Sequence, residues 1–142
     1  MNPEEPRTPG PIHLLVQSDP EGLADLHTRL LDLCAQAGLD ALAANQFTTA
    51  IREALNNCIK HAYGGEPGHP INLLWSLNPG VVAIEIRDKG CPMPTSALEP
   101  PPMPAWDAES GRGWRIIREW TDSVSYTREP HENVLTLTYR LH

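Results

Sequence analysis

Residues 53–63, EALNNCIKHAY, form the stretch around which we expect the chain to fold. No proline or glycine interrupts them before Gly64-Gly65, and apolar residues recur three or four positions apart, which predicts a helix. At ~100° per residue, six apolar side chains fall on one broad stripe. They are Phe47, Ile51, Leu55, Cys58, Ile59 and Ala62. One side of this helix is therefore predicted to be buried.

Polar side chains flank that stripe in a row. Glu53, Asn57 and His61 are four residues apart, so each lies above the last on one helix face. Because a spacing of four residues slightly exceeds one helical turn, each polar side chain is rotated a little around the helix. We therefore expect the row to come closer to the apolar stripe from Glu53 towards His61. A carboxylate, a carboxamide and an imidazole would then line the edge of a buried surface. The helix alone leaves a second interpretation open, a solvated face with a capped end.

Length and composition predict a single soluble domain. The chain has 142 residues, 40% hydrophobic and 20% charged. No apolar run approaches the ~18 residues of a membrane span, so we expect no membrane association. Residues 1–11 are polar and proline-rich, which predicts a flexible N-terminal arm rather than a signal peptide. The formal charge of −7 and the lack of a basic patch argue against nucleic acid as a direct partner.

The cysteines indicate a reducing compartment. They are odd in number and widely spaced, and no zinc-type pair is present. Cys34 and Cys58 fall on apolar helical positions and are predicted to be core thiols. We therefore expect a cytoplasmic protein.

Local patterns predict three helices and five strands. The expected helices run from Pro20 to near Gly38 behind a cap at Ser18 or Asp19, from Asp40 to Gly64-Gly65, and from Gly111 onwards. The expected strands cover residues 12–18, 71–77, 81–87, 123–127 and 133–139. Strands and helices are grouped rather than alternating, which predicts an α+β, two-layer sandwich over residues 12–142. Helices would cover one face of a mixed, mostly antiparallel sheet.

The segment from Cys91 to Ser110 differs from the rest. It carries prolines at 92, 94, 100, 101, 102 and 104, which suit neither a helix nor a central strand. A loop of this length in a compact domain is usually functional or mobile, and a passive surface excursion is the alternative.

Three short motifs have residue types that suit a bound nucleotide. Asn57 offers an amide oxygen of the kind Mg²⁺ accepts, and Glu53, one turn away, is placed to take a proton from an attacking hydroxyl. Asp88, at a predicted strand end, is suited to accept from an exocyclic amine such as that of adenine, and Gly90 would permit close approach of a flat base. No P-loop is present.

The third motif, Gly111-x-Gly113, opens a predicted helix. Small residues at a helix N-terminus expose free amides and the positive end of the helix dipole, which suits phosphate. A lone Gly-x-Gly is weak evidence, so the order of the three motifs matters more than any one of them.

The ordered motifs resemble a known family. EALNNCIKHAY, then DKGCPMP, then GRGWRIIREWTDSVSY and the terminal NVLTLTYRL are similar to the Bergerat-type ATP-binding fold of gyrase, histidine kinases and MutL. Within that fold they most resemble the small anti-sigma-factor serine kinases of bacterial partner-switching systems. The likeness extends from about Ile12 to the C-terminus. Cys58, where the family usually has Ala, and Trp114, where it has an aliphatic residue, are departures.

The resemblance implies a role for each motif. Glu53 would be the general base that activates a substrate serine, and Asn57 would bind Mg²⁺. Asp88 would recognise the adenine amine, and Gly90 would make room for the base. Residues 91–113 would form a lid over the triphosphate of ATP.

Further implications concern the phosphates and the helix end. Gly111 and Gly113 would let backbone amides reach the phosphates, and Arg112 or Lys89 would add positive charge. His61 is interpreted as structural, holding the helix end near Tyr63, with catalysis as the alternative.

The resemblance also implies partners. It predicts a serine/threonine-protein kinase that phosphorylates a small anti-anti-sigma (STAS-type) antagonist, sequesters a sigma factor or similar regulator, and forms a homodimer. A nucleotide-gated binding protein without kinase activity is the alternative, and retention of Glu53 beside Asn57 favours catalysis. A detached histidine-kinase domain is less favoured, because no dimerising helical pair with a phosphoacceptor histidine is present.

Overall fold

The computed structural model describes residues 10–93 and 109–141 and contains five strands and three helices. In chain order the elements are β1 (Ile12–Gln17), α1 (Pro20–Gln36), α2 (Ala41–Tyr63), β2 (Pro70–Asn78), β3 (Val81–Asp88), α3 (Glu109–Glu119), β4 (Ser123–Glu129) and β5 (Glu132–Arg140). All eight predicted elements are present, which confirms the expected sequence of helices and strands. Helix α3 begins two residues before the predicted start at Gly111.

Helix α1 begins where its capping residues predict. The Asp19 carboxylate accepts a hydrogen bond from the Gly22 amide at 2.7 Å, and Pro20 occupies the first turn. Of the two predicted capping residues, Asp19 therefore caps the helix. Ser18 instead donates its hydroxyl to the Glu66 carbonyl at 2.8 Å, which ties the start of α1 to the loop after α2.

Helix α2 has a cap at each end. The Asp40 carboxylate accepts from the Ala43 amide at 2.8 Å. At the other end Gly64 adopts the left-handed conformation, with φ of 62°, and its amide donates to the Ile59 carbonyl. A side chain there would be strained, so the glycine fixes the last turn of α2 at Tyr63.

The five strands form one sheet in the order β1-β2-β3-β5-β4. Each neighbouring pair is antiparallel, so the predicted α+β fold is confirmed and its sheet is wholly rather than mostly antiparallel. The β2–β3 hairpin turns at Gly80, whose φ is 77°. Strand β4 lies at the edge and β5 returns to the centre beside β3, which places Asp88 directly opposite Asn133.

The core lies between the sheet and the helices. Alternate strand residues point inwards, and the predicted apolar stripe of α2 is buried against them, Phe47, Ile51 and Leu55 completely. Trp114 and Ile117 join the same cluster and so attach α3 to it. Cys34 and Cys58 are buried free thiols, as predicted. The other sheet face carries the outward-pointing residues of the same strands.

Two predicted segments fall largely outside the described residues. The predicted N-terminal arm covers residues 1–11, of which the structure describes only Gly10 and Pro11. The predicted lid covers residues 91–113, of which residues 94–108 lie outside the described part of the chain. Among the helices described here, none is long and apolar enough to cross a membrane.

Candidate functional site

The polar row on α2 lies at the margin of the core. Asn57 is 6% exposed, whereas Glu53 and His61 are half-buried. Burial therefore does not increase steadily along the row as the helical rotation predicted, since Asn57 lies deepest. The reason is that α3 covers the middle of α2.

Helix α3 contacts the polar face of α2 at a glycine, Gly113. A methyl group built on Gly113 would lie 3.1 Å from Oε2 of Glu53 and 3.4 Å from Nδ2 of Asn57. Glycine thus lets the α3 backbone come close to both side chains. The next residue, Trp114, is 2% exposed in the core, so its large ring fixes this approach. The structure brings three predicted site residues together, Glu53, Asn57 and Gly113.

The side-chain nitrogen of Asn57 is buried without a partner among the described residues. An unpaired buried amide is costly, because it has lost water without gaining a replacement. A half rotation of the amide would exchange its nitrogen and oxygen, so either end can face Gly113. A ligand at this position would satisfy the group.

Mg²⁺ fits this donor set only as part of a nucleotide complex. Within residues 10–93 and 109–141, no group of three or more His, Cys, Asp or Glu side chains stands close enough to hold a metal ion. A single amide oxygen from Asn57 would leave most of an octahedral shell to phosphate oxygens and water. Asn57 is therefore compatible with a metal that arrives bound to phosphate.

Asp88 forms a second buried site at the end of β3. The side chain is 3% exposed, and its Oδ1 accepts from Asn133 Nδ2 at 2.7 Å and from the Gly90 amide at 3.1 Å. Burial raises the pKa of this carboxyl, while the hydrogen bonds from Asn133 and Gly90 and the charge of Arg128 oppose the rise. Both hydrogen bonds fall on Oδ1, and Oδ2 receives neither of them. Oδ2 is therefore the oxygen that a ligand donor such as an exocyclic amine would meet.

Asn133 and Arg128 are site residues that the sequence analysis missed. Asn133 is 1% exposed and touches Asp88, and Arg128 donates to the Asn133 Oδ1 at 2.7 Å. A signal for Asn133 was present, since it shares a strand face with Leu135 and Leu137, where an apolar residue is the rule. Its position opposite Asp88 could not be inferred without the β3–β5 pairing.

Gly90 has a packing role. A methyl group built on it would lie 2.3 Å from the Ala62 carbonyl oxygen and 2.6 Å from the Ala62 Cβ. The neighbouring Cys91 amide donates to that same carbonyl at 3.1 Å. The direction of the missing side chain is thus filled by the last turn of α2. This close contact explains why residue 90 is a glycine, whether or not a nucleotide base binds beside it.

The end of α2 is tied to the end of β3 by Tyr63. The Tyr63 hydroxyl accepts from the Lys89 amide at 3.0 Å, and its ring stacks on His69 with centroids 4.2 Å apart. The side chain of Lys89 is exposed. We predicted that His61 would hold this helix end, but the observed hydrogen bond belongs to Tyr63 itself.

His61 lies on α2 between Asn57 and Tyr63. Its Nε2 is buried and has no partner among the described residues. Burial, with a further contribution from Lys60, lowers the pKa of His61. The imidazole therefore favours its neutral form, which is consistent with a packed position.

Helix α2 connects the two sites. Asn57 precedes Ala62 by five residues, which corresponds to ~8 Å along the helix. Asp88 and Gly90 thus lie beside the C-terminal end of α2, and Asn57 and Glu53 lie about one and a half and two and a half turns earlier. The backbone of Gly111 and Arg112 belongs to α3, and the predicted phosphate contact by the Arg112 side chain lies outside the described part of the chain.

The chain has relatives among known proteins. Over 96 residues the chain is 38% identical to a serine/threonine-protein kinase, BtrW, of Bordetella bronchiseptica, covering 64% of this chain and 66% of that protein. It is 31% identical over 90 residues to an anti-sigma F factor of Halalkalibacterium halodurans, covering 60% of each. The matched regions thus span less than two thirds of these relatives' lengths.

Solved structures show the same fold. The crystal structure of the RsbU and RsbW domains of Rv1364c from Mycobacterium tuberculosis superposes with a TM-score of 0.66 at 18% identity, covering 94% of this chain and 33% of that one. This likeness supports the architecture alone. Residues 16–139 match the family model of the histidine kinase-like ATPase domain. The chain therefore belongs to the histidine kinase-like ATPase family, and its relatives agree with the resemblance to the anti-sigma kinases of partner-switching systems.

Proposed function

We propose that the protein is a Mg-ATP-dependent serine kinase that also sequesters a sigma factor or an equivalent regulator. The observation that carries the proposal is the meeting of Glu53, Asn57 and Gly113. A carboxylate and an unpaired amide lie one turn apart beneath the first turns of α3. A proton acceptor and a metal ligand would then lie beneath a helix whose first turn offers free amides to phosphate.

The nucleotide would lie along α2. Asp88 would accept from the adenine amine, Asn57 would contribute an oxygen to Mg²⁺, and amides of the first turn of α3, which includes Gly111, would face the phosphates. Arg112 or Lys89 would add positive charge. Mg-ATP, when bound, supplies the γ-phosphoryl group and the metal charge that offsets the charge of the phosphates.

Glu53 would act as the general base. Its half-buried carboxylate would take the proton of a substrate serine hydroxyl as the serine oxygen bonds to the γ-phosphorus and the bond to the β-phosphate oxygen breaks. A protein that only bound the nucleotide would need Asn57 but not this base. The carboxylate one turn from the amide therefore favours catalysis over the alternative, a nucleotide-gated binding protein.

The names of the relatives support the proposed partners. One is called a serine/threonine-protein kinase and another an anti-sigma F factor. The substrate would be a serine on a small STAS-type antagonist. Phosphorylation adds up to about two negative charges to the antagonist, and the formal charge of this protein is −7. Repulsion would then favour release of the product, leaving the protein free to hold the sigma factor. A homodimer in the cytoplasm remains our prediction.

Transfer of labelled phosphate tests the proposal. The wild type would be incubated with γ-labelled ATP, Mg²⁺ and candidate STAS-domain antagonists, in parallel with Glu53→Gln and Asn57→Ala. Asn56→Ala, which alters the exposed neighbour on the same helix, is the matched control for Asn57→Ala. Removal of a general base is expected to slow transfer about 10²–10⁴-fold, while ATP binding by Glu53→Gln remains.

The two candidate functions give different results. If Glu53→Gln transfers phosphate as fast as the wild type, Glu53 is not the base. If the wild type binds ATP but labels no antagonist, the binding-protein alternative is correct. Loss of binding in Asn57→Ala but not in Asn56→Ala would support the assigned metal ligand.

A further inference from the structure

Three side chains form a chain of hydrogen bonds that ends on Asp88. Arg128 on β4 donates through Nη1 to Asn133 Oδ1 at 2.7 Å, and Asn133 Nδ2 donates to Asp88 Oδ1 at 2.7 Å. Asn133 and Asp88 are almost fully buried, whereas Arg128 is exposed. A surface residue is thus linked to a buried carboxylate through one amide.

This chain has a fixed direction. A guanidinium has only donors, so the Asn133 oxygen must face Arg128 and the Asn133 nitrogen must face Asp88. The same nitrogen also lies 3.2 Å from the carbonyl oxygens of Gly90 and Cys91, which are acceptors only. Arg128 donates to the Gly90 carbonyl as well, at 3.1 Å. Rotation of the amide by 180° would set its oxygen against the oxygens of Asp88, Gly90 and Cys91 and its nitrogen against the Arg128 guanidinium.

The direction of the chain determines what Asp88 can recognise. With donors fixed on its Oδ1, the ionised carboxyl presents Oδ2 as a further acceptor, which a donor on the ligand would match. We propose that Arg128, acting through Asn133, is a positioning residue that makes Asp88 select a base with an exocyclic amine over one with a carbonyl at that position. This inference rests on the proposed function, in which Asp88 faces the base.

The selection would fail if Asp88 were protonated, because a neutral carboxyl can donate to a carbonyl. Burial raises the pKa of Asp88, and nearby Glu132 adds to the rise, while Asn133, the Gly90 amide and Arg128 oppose it. The titratable groups around Asp88 come from α2, β4 and β5. They are Cys58, Tyr63, Tyr126, Arg128 and Glu132. Arg128 is the cation among them, so its removal favours the protonated carboxyl.

Binding of ATP and of inosine triphosphate tests the proposal. The two nucleotides differ at the 6-position of the base, which has an amine in ATP and a carbonyl in inosine triphosphate. Affinities would be measured calorimetrically with Mg²⁺ from pH 5.5 to 8.0 for wild type, Arg128→Met and Arg128→Lys. Arg140→Met is the matched control, because Arg140 is an exposed arginine at the other end of β5, ~23 Å from Asn133.

The expected result is a change in preference rather than a uniform loss. Arg128→Met should lower the ratio of ATP to inosine triphosphate affinity about five- to tenfold near pH 6, the effect of one lost hydrogen bond. Its ATP binding should also weaken at a higher pH than in the wild type. Arg128→Lys, which retains a donor and a charge, should recover part of both effects. Unchanged preference and pH dependence in Arg128→Met would overturn the proposal.

A measurement without nucleotide separates this inference from the proposed function. The Asp88 carboxyl carbon would be titrated by NMR in wild type, Arg128→Met and Arg140→Met. Arg128→Met alone should titrate at higher pH. If it does and the wild type binds no ATP, the positioning of Asp88 stands and the proposed function fails. An unchanged Asp88 titration would show that Arg128 does not position the carboxyl.

Discussion

The backbone amide of Lys89 donates to the hydroxyl of Tyr63 at 3.0 Å, which joins the residue after β3 to the last residue of α2. This hydrogen bond fixes the position of the Asp88 site relative to the Asn57 site. Asp88 and Gly90 lie on one side of this bond, and the α2 face that carries Asn57 lies on the other. The geometry of the candidate site thus depends on a contact between the Lys89 backbone and Tyr63, neither of which is a predicted general base or metal ligand.

Tyr63→Phe tests this connection. The variant loses the hydroxyl but retains the ring that stacks on His69. We expect about 1 kcal/mol lower free energy of unfolding, the usual net value of one hydrogen bond. Urea denaturation followed by circular dichroism measures it. Tyr139→Phe is the matched control, since Tyr139 packs its ring on Phe47 in the core. Equal stability of Tyr63→Phe and wild type would show that the hydroxyl contributes nothing.

Gly90→Ala should be the more damaging change. The added methyl group would lie 2.3 Å from the Ala62 carbonyl oxygen, which belongs to helix backbone and cannot rotate away. Overpacking of this kind costs about 1–3 kcal/mol. Gly10→Ala is the control, because a methyl group there meets no atom within 4 Å. We expect the melting temperature to fall for Gly90→Ala alone. Equal melting temperatures would mean that the end of β3 can move away from α2.

Local signals were sufficient to predict most of the fold. Asp19 and Asp40 at the helix starts and Gly64 at the end of α2 act through hydrogen bonds or backbone conformation within a few residues, so the sequence displays them directly. The apolar stripe containing Phe47 and Ile51 predicted the buried face for the same reason. The expectation of a mixed sheet was less accurate, because strand direction and order depend on distant partners.

The candidate site was predictable in its residue types but not in its connections. Glu53 and Asn57 were identifiable because their spacing is helical, and α3 does meet them at Gly113. Asn133 was missed because its contact with Asp88 depends on the register between β3 and β5. Tyr63 was named only as a neighbour of His61, and its hydrogen bond with Lys89 likewise joins residues far apart in sequence.

His61 should make stability sensitive to acid. Burial lowers its pKa below the usual value, so the unfolded chain binds a proton at His61 more readily than the folded one. Its contribution to stability is present above about pH 6.5, the unfolded value, and is lost as the pH falls towards the folded value. Stability should therefore rise with pH across that window.

His61→Gln removes the titrating group and keeps a neutral polar side chain. We expect its free energy of unfolding to change less than that of the wild type between pH 7.5 and pH 5.5, as measured by urea denaturation. His13→Gln, on the exposed face of β1, is the control and should behave as the wild type. If His61→Gln and the wild type lose equal stability at acid pH, other groups are responsible. His27 is one such group, because burial also lowers its pKa.

Gly113→Ala should separate stability from function at the candidate site. Within a helix, alanine is favoured over glycine by roughly 0.5–1 kcal/mol. The new methyl group would meet Oε2 of Glu53 at 3.1 Å, but that atom ends a flexible side chain and can shift by a few tenths of an ångström. Stability should therefore stay level or rise.

Activity should fall in the same variant, because the methyl group occupies space between the α3 backbone and the Glu53–Asn57 pair. We expect a loss of at least tenfold in phosphate transfer or ATP affinity, equivalent to ~1.4 kcal/mol. Thermal melting and nucleotide titration on one preparation give both quantities. Glu119→Ala, an exposed substitution at the other end of α3, is the control for a side-chain change on this helix. If Gly113→Ala binds nucleotide and transfers phosphate as the wild type does, the space beneath Gly113 is not where the phosphates lie, and the role of Asn57 as metal ligand loses its structural support.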